Sequence, residues 1–261
     1  MDISLFMSRS ELFMERNAVL ALAGRINYIT HEKADLHVRI LPEEDDYAGM
    51  IAGSLPEAAG ENLLPDAGLT VFLIGDEVWG AVRSALMQAV RRRRDDPDFF
   101  MVTAIRGVPE PAEEGASALV PRPGPVADLC RQLDREDAPY VFWQDGTDLW
   151  LAILLMLESH PLRPLGAPLT TCNDELRIGS GYLFDFTQLP RIRGDRLFRK
   201  YRSDRLEEES RHNHWDWRYN SDEYDEAVYE RYDAHRDQLI RSEIRDLRNR
   251  LRITPPKEAE L

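Results

Sequence analysis

Asp76 and Glu77 follow Gly75 directly, at the end of an apolar run covering residues 69–74. Beyond them a helical pattern opens at Trp79 and continues through Ser84-Ala85-Leu86-Met87-Gln88-Ala89. A buried strand, a polar loop and a helix in that order set two carboxylates at the carboxyl end of a strand, where open α/β sheets bind ligands. A second strand-like run, residues 3–7, ends in Ser8-Arg9-Ser10. Ser8 and Ser10 read either as contacts to ribose or phosphate, or as a turn and helix cap, with Ser10 the N-cap candidate. Arg9 can pair with a pyrophosphate or stand in solvent. Glu15 and Arg16 are neighbours on the first helix, so one of them can point inward, where an internal ion pair is the reading preferred over catalysis.

The elements that must position these groups follow from hydrophobic periodicity. Strands are expected at residues 3–7, 36–41, 69–74, 99–105 and 140–143, and helices over about 11–28, 78–93, 126–134 and 148–158. A further short helix is expected over about 47–55. The Pro- and Gly-rich stretch 107–125 reads as an exposed loop. Alternating strands and helices argue for a parallel sheet covered on both faces. The expectation is a flavodoxin-like three-layer sandwich with a five-stranded parallel sheet in the order 2-1-3-4-5. In that order strands 1 and 3 are neighbours whose connections leave on opposite faces. Their carboxyl ends carry Ser8-Arg9-Ser10 and Gly75-Asp76-Glu77, and a crevice is expected between them.

Composition shifts near residue 159, where Pro161, Pro164, Gly166 and Pro168 cluster. Residues 1–158 are therefore expected to form the ligand-binding domain, and residues 159–261 an α-helical extension for assembly or partner recognition. Leu239, Ile240, Ile244, Leu247 and Leu251 make a narrow apolar stripe on a long charged helix. Such a stripe suits helix pairing, within the chain or between subunits. His212-Asn213-His214 lacks further ligands at a metal-binding spacing. The aromatic residues between Trp215 and Tyr232 sit among acids and suit a protein contact better than nucleobases.

The 261 residues carry a formal net charge of -14, which disfavours general binding to a phosphate backbone. Arg91 to Arg94 read as cations complementing a helix C-terminus. No apolar run approaches the roughly 20 residues that span a bilayer. The two cysteines, Cys130 and Cys172, read as reduced thiols of a cytoplasmic protein.

On its opening, ISLFMSRSELFMERNAVL, and on VFLIGDEVW with SALMQAV after it, the first 158 residues resemble the TIR superfamily. The likeness is to its divergent bacterial branch, found in defence and signalling proteins. The resemblance implies binding of NAD or a related nucleotide, with cleavage of the nicotinamide–ribose bond by a glutamate on the helix after the third strand. That carboxylate would bind ribose hydroxyls and stabilise an oxocarbenium-like sugar. The ligand is a substrate here and no prosthetic group is implied. Trp79 would stack on nicotinamide or adenine, unless it packs at the helix start. Asp45, Asp46 and Tyr47 fall in the region the family uses for assembly and gating, or form a solvated acidic loop.

Aligned on Glu-Leu-x-x-Ala, the catalytic position is Ala85, with Ser84 beside it; aligned on the tryptophan it is Arg83. Neither is a carboxylate. Three explanations stand open: a naturally inactive module, a glutamate replaced by alanine, or chemistry by Glu77 or Asp76. A non-enzymatic oligomerisation module is the competing function, and nucleoside deoxyribosyltransferase-like chemistry a third.

Overall fold

The computed structural model describes residues 1–7, 12–31, 33–41, 64, 66–78, 80–109, 119–172, 174–195, 199–200 and 222–253, giving the backbone alone for 222–229 and 231. The Ser8-Arg9-Ser10 turn, the acidic loop and helix expected over 42–55, Trp79 and His212-Asn213-His214 lie outside the described residues.

The chain is an α/β protein built on a parallel sheet. Strands β1 (Asp2–Met7), β2 (His37–Leu41), β3 (Leu69–Ile74) and β4 (Met101–Pro109) are followed by two short ones, β5 (Leu119–Pro121) and β6 (Val141–Trp143). The parallel order is β2-β1-β3-β4-β6, the order anticipated for the five parallel strands. β3 is buried along its whole length because both its faces are covered, which is why it reads as a continuous apolar run. Alternating side chains divide the core in two. Phe6, Phe72 and Ile74 face helices α2 (Gly80–Asp95) and α3 (Pro125–Arg135). Leu5, Val71 and Leu73 face α1 (Phe13–Ile29) and α4 (Gly146–Ser159).

Four expectations need correction. The stretch 107–125 is not simply a loop: β4 runs on to Pro109 and pairs antiparallel with β5, Val108 opposite Val120. β-branched residues at matched positions favour that ladder over a coil. The sheet therefore has six strands, the sixth antiparallel. α1 starts at Phe13 with Leu12 in the N-cap position and no side-chain cap, so the helix begins two residues later than expected and Ser10 is not its N-cap. The extension after residue 158 is not purely helical. It holds an antiparallel meander of β7 (Leu169–Cys172), β8 (Glu175–Ile178) and β9 (Gly181–Asp185). Gly179-Ser180 is the two-residue turn joining β8 to β9, with Gly179 at φ +56°. Glycine tolerates that conformation without strain.

A short helix α5 (Pro190–Gly194) and the 30-residue α6 (Asp222–Leu251) complete the described chain. α4 explains why they pack where they do. Leu149 and every residue from 151 to 157 are buried, and a helix apolar all round must be covered all round. The sheet covers one side; the meander and α6 cover the other. Trp150 meets Phe184 edge-on at 6.4 Å, and a Cβ at Gly181 would clash with Ile29 of α1. Ile240, Ile244 and Leu251 of α6 belong to the same apolar cluster as Leu5 and Val71, so the core is continuous across residue 158. Among the described residues, no helix is long and apolar enough to cross a membrane.

Candidate functional site at the carboxyl edge of the sheet

Arg106 is the centre of a charged chain at the carboxyl edge. It stands opposite Trp143 in the β4–β6 ladder, so both side chains leave the same face. The guanidinium carbon lies 4.8 Å from the indole centroid, a cation–π distance. One end of the guanidinium meets Glu15 Oε1 of α1 at 3.1 Å; the other meets Asp76 Oδ2, just past β3, at 3.5 Å. Arg122, placed by the short β5, reaches the same Asp76 oxygen at 3.1 Å.

The order Glu15–Arg106–Asp76–Arg122 joins the helix after β1, strand β4, the loop after β3 and the residue just past β5. Glu15 follows β1 and Asp76 follows β3, so the two carboxylates come from the two sides of the topological switch point. The Glu15 side chain is only 13% exposed, whereas that of Arg122 is 51% exposed. The chain of charges therefore runs from a buried carboxylate to an accessible guanidinium. Glu15 Oε2 and the indole N–H of Trp143 are buried and have no hydrogen-bond partner among the described residues. A buried acceptor and a buried donor left in this way are rare in folded proteins.

Of the residues singled out in the sequence, Asp76 joins this chain. Glu77 lies next to it and is exposed, and Ser84 is exposed on α2. Ala85 is 2% exposed and packs in the apolar cluster of Phe6, Phe72 and Ile74. Glu15 does not pair with Arg16: it pairs with Arg106, and Arg16 Nε has no partner among the described residues. Successive helix positions point about 100° apart, which separates such neighbours. Glu15, Arg106, Arg122 and Trp143 were not legible as one group. Glu15 and Arg106 are 91 residues apart and no local pattern links them.

A second cluster lies between the β5–β6 edge, α5 and α6, around a cavity of about 430 Å³. Arg191 binds Glu243 at 2.7 Å and Asp246 at 3.1 Å there. Burial pushes the Asp148 carboxyl up to about 7, helped by the nearby charges of Asp145 and Glu243. Asp148 also accepts the Gln144 N–H at 2.8 Å, so it holds the start of α4 as well.

No protein family, curated protein or solved structure matches this chain.

Proposed function

We propose that the chain is a TIR-like nucleotide-binding effector that takes NAD or a related dinucleotide at the carboxyl edge of its sheet. The observation that carries this reading is the Arg106-centred chain, with carboxylates contributed from both sides of the switch point. Half-exposed Arg122 suits a pyrophosphate, which a guanidinium grips with paired hydrogen bonds. Asp76 and Glu15 suit ribose hydroxyls and the positive charge that develops as nicotinamide leaves. On this reading Asp76 and Glu15 supply the carboxylate chemistry that Ala85 does not. Fold alone does not assign activity; the side chains at the edge favour this one.

Nicotinamide release from NAD, followed at high protein concentration, tests the chemistry. Release by the unchanged chain and its loss in Glu15→Gln are expected. Equal rates for both proteins would remove Glu15 from the reaction.

A second reading, an assembly module of defence or signalling proteins, is favoured by Phe13 and Met14. They stand 55% and 73% exposed at the start of α1, beside the candidate site. Exposed apolar side chains in adjacent positions suit a protein contact. The α6 stripe favours assembly less, because Ile240, Ile244 and Leu251 are buried within the chain itself.

A further inference from the structure

At the opposite, amino edge of the sheet, a cleft of about 230 Å³ opens between the end of α2, the turn after α3 and the end of α6. Three arginines line it. Arg94 is neutralised by Glu136 at 2.5 Å, and Arg252 by Asp137. Arg93 has no carboxylate partner among the described residues. It donates to two backbone carbonyls, Met101 and Leu251, each at 3.3 Å. A guanidinium carries five N–H donors, so these two bonds leave most of its capacity unused. Burial and the nearby Arg252 charge both push the Arg93 pKa down. Carbonyl dipoles at a helix end offset a cation only in part, and the cleft holds three cationic side chains against two anionic ones.

We propose that this cleft is a binding site for a phosphate group, with Arg93 as its principal ligand and Arg94 and Arg252 at its rim. The volume is below the roughly 300–1,000 Å³ of pockets for drug-sized ligands, so it takes the phosphate group and leaves any substituent in solvent. Phosphate matches the planar, bidentate donor pattern of arginine better than chloride does. The site is separate from the carboxyl edge: Met101 opens β4 and Arg106 lies five residues further along it, about 16 Å away. A phosphate held there would bridge α2, the α3 turn and α6, fastening the long helix to the sheet. Its occupant is inorganic phosphate or a phosphomonoester.

Thermal unfolding with inorganic phosphate, against sodium chloride at equal ionic strength, tests the site. A rise in Tm of about 3–5 °C is expected at tenfold the half-saturating phosphate concentration. Arg93→Gln should abolish the rise, and Arg91→Gln, exposed on the same helix, should keep it. Asp137→Asn frees Arg252 and should lower the half-saturating phosphate concentration about tenfold, by the gain of one charge-assisted hydrogen bond. Asp137 is solvent-exposed with φ +54°, a conformation asparagine accepts, so this variant decides the matter even if Arg93→Gln fails to fold. Glycerol 3-phosphate, tested beside inorganic phosphate, tells the two occupants apart. Tighter binding of the ester assigns a phosphomonoester; equal binding assigns the bare group. A phosphate effect no larger than chloride's, or one that weakens in Asp137→Asn, overturns the proposal.

Discussion

Arg106 is held by three different interactions at once: the carboxylates of Glu15 and Asp76 and the face of Trp143. A charge that deep is tolerated only when paired, and the pairing also fixes where both carboxylates point. The same rule works against a glutamate at position 85. Ala85 is buried among the apolar side chains of Phe72, Val82 and Leu86. Ala85→Glu is therefore expected to lower stability by about 3 kcal/mol or more, read as a fall in the urea midpoint, and to release nicotinamide no faster than the unchanged chain. A stable Ala85→Glu protein that cleaves NAD well above the rate of the unchanged chain would instead put the catalytic carboxylate on α2, as the family resemblance implies.

Asp148 sets a pH dependence of its own. The folded chain keeps its proton up to about pH 7, whereas the unfolded chain gives it up near 3.8. Between those values the folded state binds more protons, so this group's contribution falls as pH rises from about 4 to 7 and is level above. Asp148→Asn removes that slope but keeps an acceptor for Gln144 N–H. The variant should match the unchanged chain at pH 4 and exceed it at pH 8, by up to about 4 kcal/mol. Urea titrations at the two pH values check this, and equal stabilities at pH 8 would place the Asp148 carboxyl in its ordinary range.

At the scale of elements, what could be read from the sequence was whatever a single periodic segment decides. Residues 69–74 could only be a strand buried on both faces, and α2 and α3 show one apolar face each. The features that were missed depend on partners far along the chain. β5 is three residues long and exists because β4 continues past Gly107 to meet it. Without that pairing Arg122 would not reach Asp76. Gly179-Ser180 is a hairpin turn and Gly181 opens β9, though taken alone the three residues look like an interruption. The all-apolar α4 already implied a second covering layer, but not that half of it would be strands.

α6 tests how tightly that layer belongs to the rest. Ile244 is buried in the cluster that reaches Leu5 and Val71. Ile244→Ala should cost about 2–3 kcal/mol and move the whole urea transition to lower concentration, because one core unfolds as one unit. A separate early transition, with the sheet unaffected, would show that residues 159–261 fold independently.

At the scale of the molecule, an acidic chain with a net charge of -14 still places arginines at both edges of its sheet, Arg122 on one and the arginine cleft on the other. The topology accounts for the first, since parallel strands deliver their loops to one edge and reverse direction between β1 and β3. What the topology leaves open is which side chains those loops carry, and here they are two carboxylates and two arginines in an unbroken chain. The most direct test of that edge as a nucleotide site is calorimetric titration of NAD into the unchanged chain and into Arg122→Gln. Arg122 is half-exposed, so its loss should leave the Tm within about 1–2 °C of the unchanged chain's. Saturable binding that weakens about tenfold in the variant is expected, the value of one charge-assisted phosphate contact. No saturable binding by the unchanged chain, or the same affinity in both proteins, would contradict a nucleotide site there.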